Sequence, residues 1–263
     1  LYEVKPAMQE STPGRTDGRT PPDHPGRTDG RKKLGETLCL LHGFVENRDM
    51  WKPMVKTLSQ KYRLILIDLP GHGKSPLLEQ SNSMRAMAVA VNEILDQLSV
   101  ETVKLVGHSM GGYVALAFAK AYPEQTLGVF LMNSTPYPDT AERKKLRLHG
   151  VKVAAKNYEA LVSMSVANLF SQESRVKYRE EIENVKNKAL KTPLAGYIAC
   201  QKGMMQREDL VDFWKQSTFK KGMFLGKNDT LIDAEALKKE LEGYTVEVEI
   251  GSGGHMSFIE NSR

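Results

Sequence analysis

Lys104-Leu105-Val106-Gly107-His108-Ser109-Met110-Gly111-Gly112-Tyr113 sets a short apolar run directly against a serine flanked by glycines. Val103 to Val106 reads as a buried β-strand and Met110 to Ala121 as a helix, with Gly107-x-Ser109-x-Gly111 between them. A strand that turns at once into a helix needs small residues two positions either side of the turn, because strand and helix then approach closely. The same turn forces its serine into a strained backbone conformation. Ser109 is therefore expected at the carboxyl end of a sheet and at the positive end of a helix, which is a nucleophile's position. G-x-S-x-G arises readily by chance in Gly-containing loops, and the strand and helix flanks are what make it informative here.

Outward from this turn, short apolar strands alternate with helical stretches. Upstream, Thr37 to Leu41 is a strand followed by His42-Gly43-Phe44 and a helix around Trp51 to Gln60. Arg63 to Ile67 is the next strand, ending in the Gly/Pro-punctuated turn Asp68 to Ser75. Met87, Val91, Ile94, Leu95 and Leu98 recur at helical spacing within Met84 to Leu98. Downstream, Gly128 to Met132 is a strand, and strand character returns at Gly222 to Leu225 and Thr245 to Ile250 around a helix from Ala234 to Leu241. This is the pattern of an α/β domain, a mostly parallel central sheet flanked by helices.

Residues 136–217 interrupt it. They hold helical segments Ala141 to Ala155, Tyr158 to Phe170, Ser174 to Ala189 and Leu194 to Arg207 with no convincing strand, which predicts an inserted helical cap. The expected division is a core of 34–135 and 218–263, the cap over 136–217, and a tail or linker over 1–33. In that tail Pro13-Gly-Arg-Thr-Asp-Gly-Arg19 recurs as Pro25 to Arg31, with almost no apolar residue to offset the entropy of ordering.

A length of 263 residues with 40% hydrophobic and 26% charged content fits one enzyme-sized globular unit. The net charge of +5 is matched by the cap stretch, which holds 15 Lys or Arg against 10 Asp or Glu. Its charges interleave, as in Arg175-Val-Lys177-Tyr-Arg179-Glu180-Glu181, so they read as solvated helix faces and argue against nucleic acid as a partner. No apolar run approaches the roughly 18 to 20 residues of a membrane span. Cys39 and Cys200 form no metal spacing and are expected to be buried thiols, in keeping with a reducing, cytoplasmic setting. No P-loop, dinucleotide fingerprint or metal-ligand cluster is visible, and no cofactor or metal is expected.

A serine hydroxyl is a poor nucleophile at neutral pH and needs a base, with a third group to orient that base. Of six histidines, His24 lies in the tail, His149 in the cap, and His42, His72 and His108 in Gly-flanked turns. His255 follows the last strand in Gly253-Gly254-His255-Met256-Ser257, a loop at the carboxyl edge of the sheet, and is the best base. Asp229 follows the strand end Phe224-Leu225-Gly226 and is the best acid, with Asp209, Asp212 and Asp68 less well placed. The order Ser109, Asp229, His255 is the nucleophile–acid–histidine order of one large hydrolase fold.

From Leu34 to about Ile259 the chain resembles the α/β-hydrolase superfamily, in particular the small capped serine hydrolases related to esterases and meta-cleavage C–C hydrolases. The match rests on His42-Gly43-Phe44 at the oxyanion loop, Asp68 to Ser75 as the D-x-P-G-x-G-x-S turn, Gly107 to Gly112 as the nucleophile elbow and Gly254-His255 as the histidine loop. The resemblance implies an oxyanion hole made by the backbone N–H groups of Phe44 and Met110, with His42 and the Asp68 turn in architectural roles. It also implies a β-hairpin ahead of the oxyanion strand, where only Leu1 to Val4 looks strand-like, and a helix beyond the histidine loop.

The expected activity is hydrolysis of carboxylic esters with short to medium acyl chains through an acyl-enzyme. A C–C bond hydrolase using the same triad is the alternative within chemistry, and a non-catalytic ligand receptor the alternative outside it. Met164, Leu169, Tyr197, Met204 and Met205 are the expected substrate-wall residues of the cap. The expected partner is a small-molecule ester, and a homodimer is compatible with this reading.

Overall fold

A computed structural model of the chain describes residues 2–7, 36–78 and 82–261. Seven strands form one sheet: β1 (Tyr2–Lys5), β2 (Thr37–Leu41), β3 (Arg63–Ile67), β4 (Val103–His108), β5 (Thr126–Met132), β6 (Lys220–Gly226) and β7 (Glu247–Gly251). Their spatial order is β1-β3-β2-β4-β5-β6-β7, and every neighbouring pair is parallel except β1 with β3. One row across the sheet runs Ile65, Cys39, Leu105, Val129, Lys221.

The strands are apolar almost throughout because both faces of a parallel sheet are covered. Alternate residues go to opposite faces, so Cys39 and Leu41 pack in a core with Met87, Val91, Leu95, Val114 and Phe118, while Leu38 and Leu40 pack with Trp51, Leu64 and Leu66 on the other side. The helices are α1 (Lys52–Leu58), α2 (Met84–Gln97) and α3 (Met110–Ala121), then α4 (Ala141–Ala154), α5 (Tyr158–Asn168), α6 (Ser174–Lys177), α7 (Arg179–Ala189), α8 (Leu194–Met205) and α9 (Val211–Gln216), with α10 (Ala234–Glu240) and α11 (Ser257–Glu260) closing the chain. Ser83 caps α2 through its side chain, which accepts from Ala86 N–H, and Thr140 caps α4 in the same way on Arg143 N–H.

Two details depart from the expected division. The first described residues are not a tail: Tyr2–Lys5 is an edge strand, with Tyr2 opposite Ile67 and Val4 opposite Ile65. The exposed edge of β3 offers an unpaired row of backbone groups, and the β-prone Tyr2 and Val4 satisfy it. The Gly/Pro repeat of 13–31 lies outside the described residues. The helices between β5 and β6 also divide their packing. Ala154, Val162, Val166, Phe170, Ile182, Ala189 and Tyr197 share a second cluster with Val45 and Met256 of the strand-end loops, whereas Cys200, Met204, Leu210 and Trp214 join the core under the sheet. Lys221 on β6 donates to the carbonyls of Trp214, Lys215 and Ser217, which fastens the end of α9 to the sheet.

Candidate active site

Every group of the expected site lies just past the carboxyl end of a parallel strand. His42 to Phe44 follow β2, Ser109 follows β4, Asp229 follows β6 and His255 follows β7. At the elbow Ser109 has φ 49 and ψ −115, a conformation that costs on the order of 1–3 kcal/mol in a non-glycine residue and persists only where its surroundings enforce it. Here Ser109 N–H donates to Met132 O at 3.0 Å, and Ser134 Oγ donates to Ser109 O at 2.8 Å. A Cβ on Gly111 would stand 2.2 Å from Leu41 O, so only glycine lets α3 start this close to β2.

The triad is assembled. Ser109 Oγ lies 2.8 Å from His255 Nε2, and His255 Nδ1 lies 2.7 Å from Asp229 Oδ2. The ionised carboxylate can only accept, so Nδ1 carries the hydrogen and Nε2 is left as acceptor for the serine hydroxyl. Burial pushes the Asp229 carboxyl up, but the His255 ring and the N–H donors of Leu231 and Asn133 outweigh it and hold the group below its ordinary range. His255 is 2% exposed, and its N–H donates to Leu169 O at 2.8 Å, so the cap itself helps to hold the histidine loop.

The Phe44 and Met110 amides donate to no acceptor among the described residues. Met110 opens α3, where the first N–H groups of a helix have no internal partner. His42 Nε2 accepts from Leu69 N–H at 2.9 Å and His72 Nε2 accepts from Val45 N–H at 3.1 Å, so these two histidines join the loop after β2 to the turn after β3. Asp68 closes that turn by accepting from Arg48 N–H at 2.9 Å and Lys74 N–H at 3.1 Å.

A second histidine–carboxylate pair sits beside the triad and was not legible in the motifs. His108 Nδ1 lies 2.9 Å from Glu46 Oε2, and its Nε2 lies 3.0 Å from the carbonyl oxygen of His255. Both partners accept, so both ring nitrogens donate and the ring is an imidazolium. Burial disfavours that charge, but Glu46 outweighs burial and raises the His108 pKa; Glu46, also pushed up by burial, is held below its ordinary range by the His108 charge. Glu46 further accepts Gly43 N–H at 2.6 Å, and a Cβ on Gly43 would come within 2.5 Å of that oxygen. One buried ion pair thus connects the loop after β2, the elbow and the histidine loop. Asn133 is the other group that motif reading passes over. Its side-chain nitrogen donates to Asp229 Oδ2 and to Gly254 O, both at 3.1 Å.

A cavity of about 450 Å³ opens onto Ser109 and His255 and is walled by the cap. Of the five cap residues expected at a substrate wall, Leu169, Tyr197 and Met204 line this cavity and Met164 and Met205 do not. On α5 the lining residues Val162 and Val166 are four apart on one face, and Met164 lies about 200° from Val162, so it points outward and is 59% exposed. Met205 is one residue and about 100° beyond Met204 on α8, which turns it off the lining. The cavity wall also includes Arg143, Arg147, His149 and Gln201, polar residues that the apolar reading of the cap left out.

Residues 36–262 match the family model described as alpha/beta hydrolase fold. The chain belongs to the α/β-hydrolase fold family. Among solved structures, this α/β-hydrolase is similar to a malate-bound thermophilic esterase from Thermogutta terrifontis, with 26% identity and a TM-score of 0.81 over 87% of this chain and 85% of that one. It shares the fold of an enol-lactonase from Burkholderia xenovorans, at 20% identity and a TM-score of 0.80 over 100% of this chain and 91% of the other. A curated relative, the 2-hydroxy-6-oxononadienedioate/2-hydroxy-6-oxononatrienedioate hydrolase of Paraburkholderia phymatum, is 39% identical over 102 residues, which are 37% of this chain and 35% of that protein. The chain spans less than half the length of the curated relatives it matches first. Among the described residues no helix is long and apolar enough to cross a membrane, and no cluster of three His, Cys, Asp or Glu could hold a metal ion.

Proposed function

We propose that this α/β-hydrolase cleaves carboxylic esters of short to medium acyl chain through an acyl-enzyme on Ser109. The observation that carries the reading is the continuous relay from Ser109 Oγ through the His255 ring to Asp229, with contacts of 2.8 and 2.7 Å. Ser109 Oγ attacks the ester carbonyl while its proton passes to His255 Nε2. Asp229 holds the ring in the right tautomer and offsets the imidazolium that forms. The amides of Phe44 and Met110 have no acceptor to give up among the described residues, so they are free to donate to the tetrahedral oxyanion. His255 then protonates the leaving alcohol, and water repeats the sequence to release the acid.

The likeness to the Thermogutta terrifontis esterase supports this reading. The Paraburkholderia phymatum relative favours a second one, hydrolysis of a C–C bond in a ring-fission product by the same triad. Ethyl butyrate and a vinylogous diketone acid, assayed side by side, separate the two. For the first, Ser109→Ala should lower ester turnover by about 10⁵–10⁶-fold and abolish labelling by a fluorophosphonate at the elbow peptide. Turnover that survives the substitution, or a label that maps elsewhere, overturns the assignment of Ser109.

A further inference from the structure

The substrate cavity holds a charge that the mechanism does not use. Arg143 and Arg147, one turn apart on α4, stand on its wall, and Arg207, just past α8, borders the adjacent cavity that Arg143 also lines. Only one carboxylate is set among them. Asp139, whose side chain is 0% exposed, accepts from Arg147 Nε at 2.5 Å and Nη2 at 3.3 Å, and its other ion pair is with Arg207. Arg147 Nη1 also donates to Gln201 Oε1 at 3.0 Å, and the Arg207 guanidinium lies 4.1 Å from the centre of the Tyr113 ring. Both of these arginines are therefore committed to the protein.

Arg143 is not. Its guanidinium is half-buried, borders the cavity that contains Ser109 and His255, and makes no ion pair and no side-chain hydrogen bond with any described residue. Asp139 and Tyr113 act on it only through space. The other acids in reach are already used. Glu46, the acid on the same cavity wall, is paired with His108 and accepts Gly43 N–H. Asp233 and Glu240 border the adjacent cavity that Arg143 also lines, but Asp233 caps Ala236 N–H at 3.0 Å and Glu240 pairs with Lys215 at 3.2 Å. Burial first, and then the like charge of Arg147, pull the Arg143 pKa down, so the site carries an electrostatic cost that an incoming anion would relieve.

We infer that Arg143 receives an anionic group of the substrate, so the preferred esters carry a carboxylate on the acyl or the alcohol side. This rests on the ester reading of the Ser109 site and narrows it. A guanidinium fits that role because its planar fork matches a carboxylate with two parallel hydrogen bonds and stays charged at any working pH. Leu161, Val162, Val166 and Leu169 would cover the aliphatic part between the carboxylate and the ester.

The test compares ethyl butyrate with monoethyl succinate, a four-carbon acyl group in which a carboxylate replaces the terminal methyl, and with O-butyryl glycolate, which moves the carboxylate to the alcohol side. Proton release at constant pH reads turnover for all three. The expected result is a higher kcat/KM for one anionic ester than for ethyl butyrate, and a fall of that ratio by about 10- to 100-fold in Arg143→Gln, carried by KM, with partial recovery in Arg143→Lys. Binding of the same esters to Ser109→Ala by calorimetry gives a readout that needs no chemistry. The anionic ester should bind more tightly there, and Ser109→Ala/Arg143→Gln should lose the difference. Absence of turnover with every ester, together with a retained binding preference, would sink the ester reading and leave the anion site standing. Equal binding of anionic and neutral esters, or a preference that survives Arg143→Gln, overturns the inference.

Discussion

Two histidine–carboxylate pairs lie side by side in this protein, their rings 5.3 Å apart between centres, and they are built for opposite purposes. In both, the ring nitrogen Nδ1 meets a buried carboxylate, Asp229 at 2.7 Å for His255 and Glu46 at 2.9 Å for His108. The difference is the partner of Nε2. His255 faces the hydroxyl of Ser109, which can give up a proton, whereas His108 faces the carbonyl of His255, which can only accept one. A group that can donate leaves the ring free to act as a base. A group that can only accept fixes the ring as a cation. An imidazole beside a carboxylate is not by itself a catalytic dyad; the third contact assigns the role.

The largest effect that could break this contrast is in turnover. His255→Ala should lower kcat on a preferred ester by about 10⁴–10⁶-fold while leaving the thermal midpoint within a few degrees, because it removes the base from a site already folded around strained Ser109. If His255→Ala kept most of the activity, His108 would have to be the base and the two roles would be reversed.

A smaller effect, this time on stability, follows from the other pair. Glu46→Gln strips the counter-charge from a buried imidazolium and should cost about 3–5 kcal/mol near pH 6, read from the urea midpoint. Glu46→Leu combined with His108→Met should cost less than the two single changes added together, since removing both partners leaves no charge behind. Additive losses would mean the two residues do not act as a pair.

The smallest effect is the pH dependence of that stability, and its sign is specific. The His108 pKa is raised above its ordinary 6.5, so its contribution is complete below 6.5 and lost as pH rises through the higher folded value. The Glu46 pKa is lowered beneath its ordinary 4.5, so its contribution is complete above 4.5 and lost as pH falls through the lower folded value. The stability difference between wild type and Glu46→Gln should therefore be greatest between these two values and shrink on either side. A difference that is flat from pH 4 to about 9 would contradict an ionised pair.

Much of the fold and the core of the site is legible from residues close in sequence. The strands Thr37–Leu41 and Arg63–Ile67 and the helix Met110–Ala121 coincide with their apolar patterns, because a buried strand or helix face needs an unbroken run or a regular spacing of apolar side chains. Ser109, Asp229 and His255 each follow a strand, and chain order alone brings them to one edge of a parallel sheet. The wall of the cavity was less legible. Apolar content marks Met164 and Val162 alike, and only the rotation of α5 about its axis separates an exposed methionine from a lining valine. Arg143 and Arg147 look in the sequence like two more members of an interleaved charged helix. Nothing local records that Asp139 is spent on Arg147 and Arg207 and that Arg143 is left over.

The class of fold and the place of Ser109 at a strand-to-helix turn follow from the sequence alone, since both depend on near-neighbour physics: the period of apolar residues, the small residues a tight turn demands, and the order of strand ends. The tertiary structure alone sets the pairing and the charge state of the groups around that serine. Glu46 and His108 are 62 positions apart, and Asp139 and Arg207 are 68 apart. In a chain this rich in acids and bases, many such pairings are consistent with the sequence. Packing selects among them, because a buried charge is tolerated only where an opposite charge or a hydrogen-bond partner is held against it.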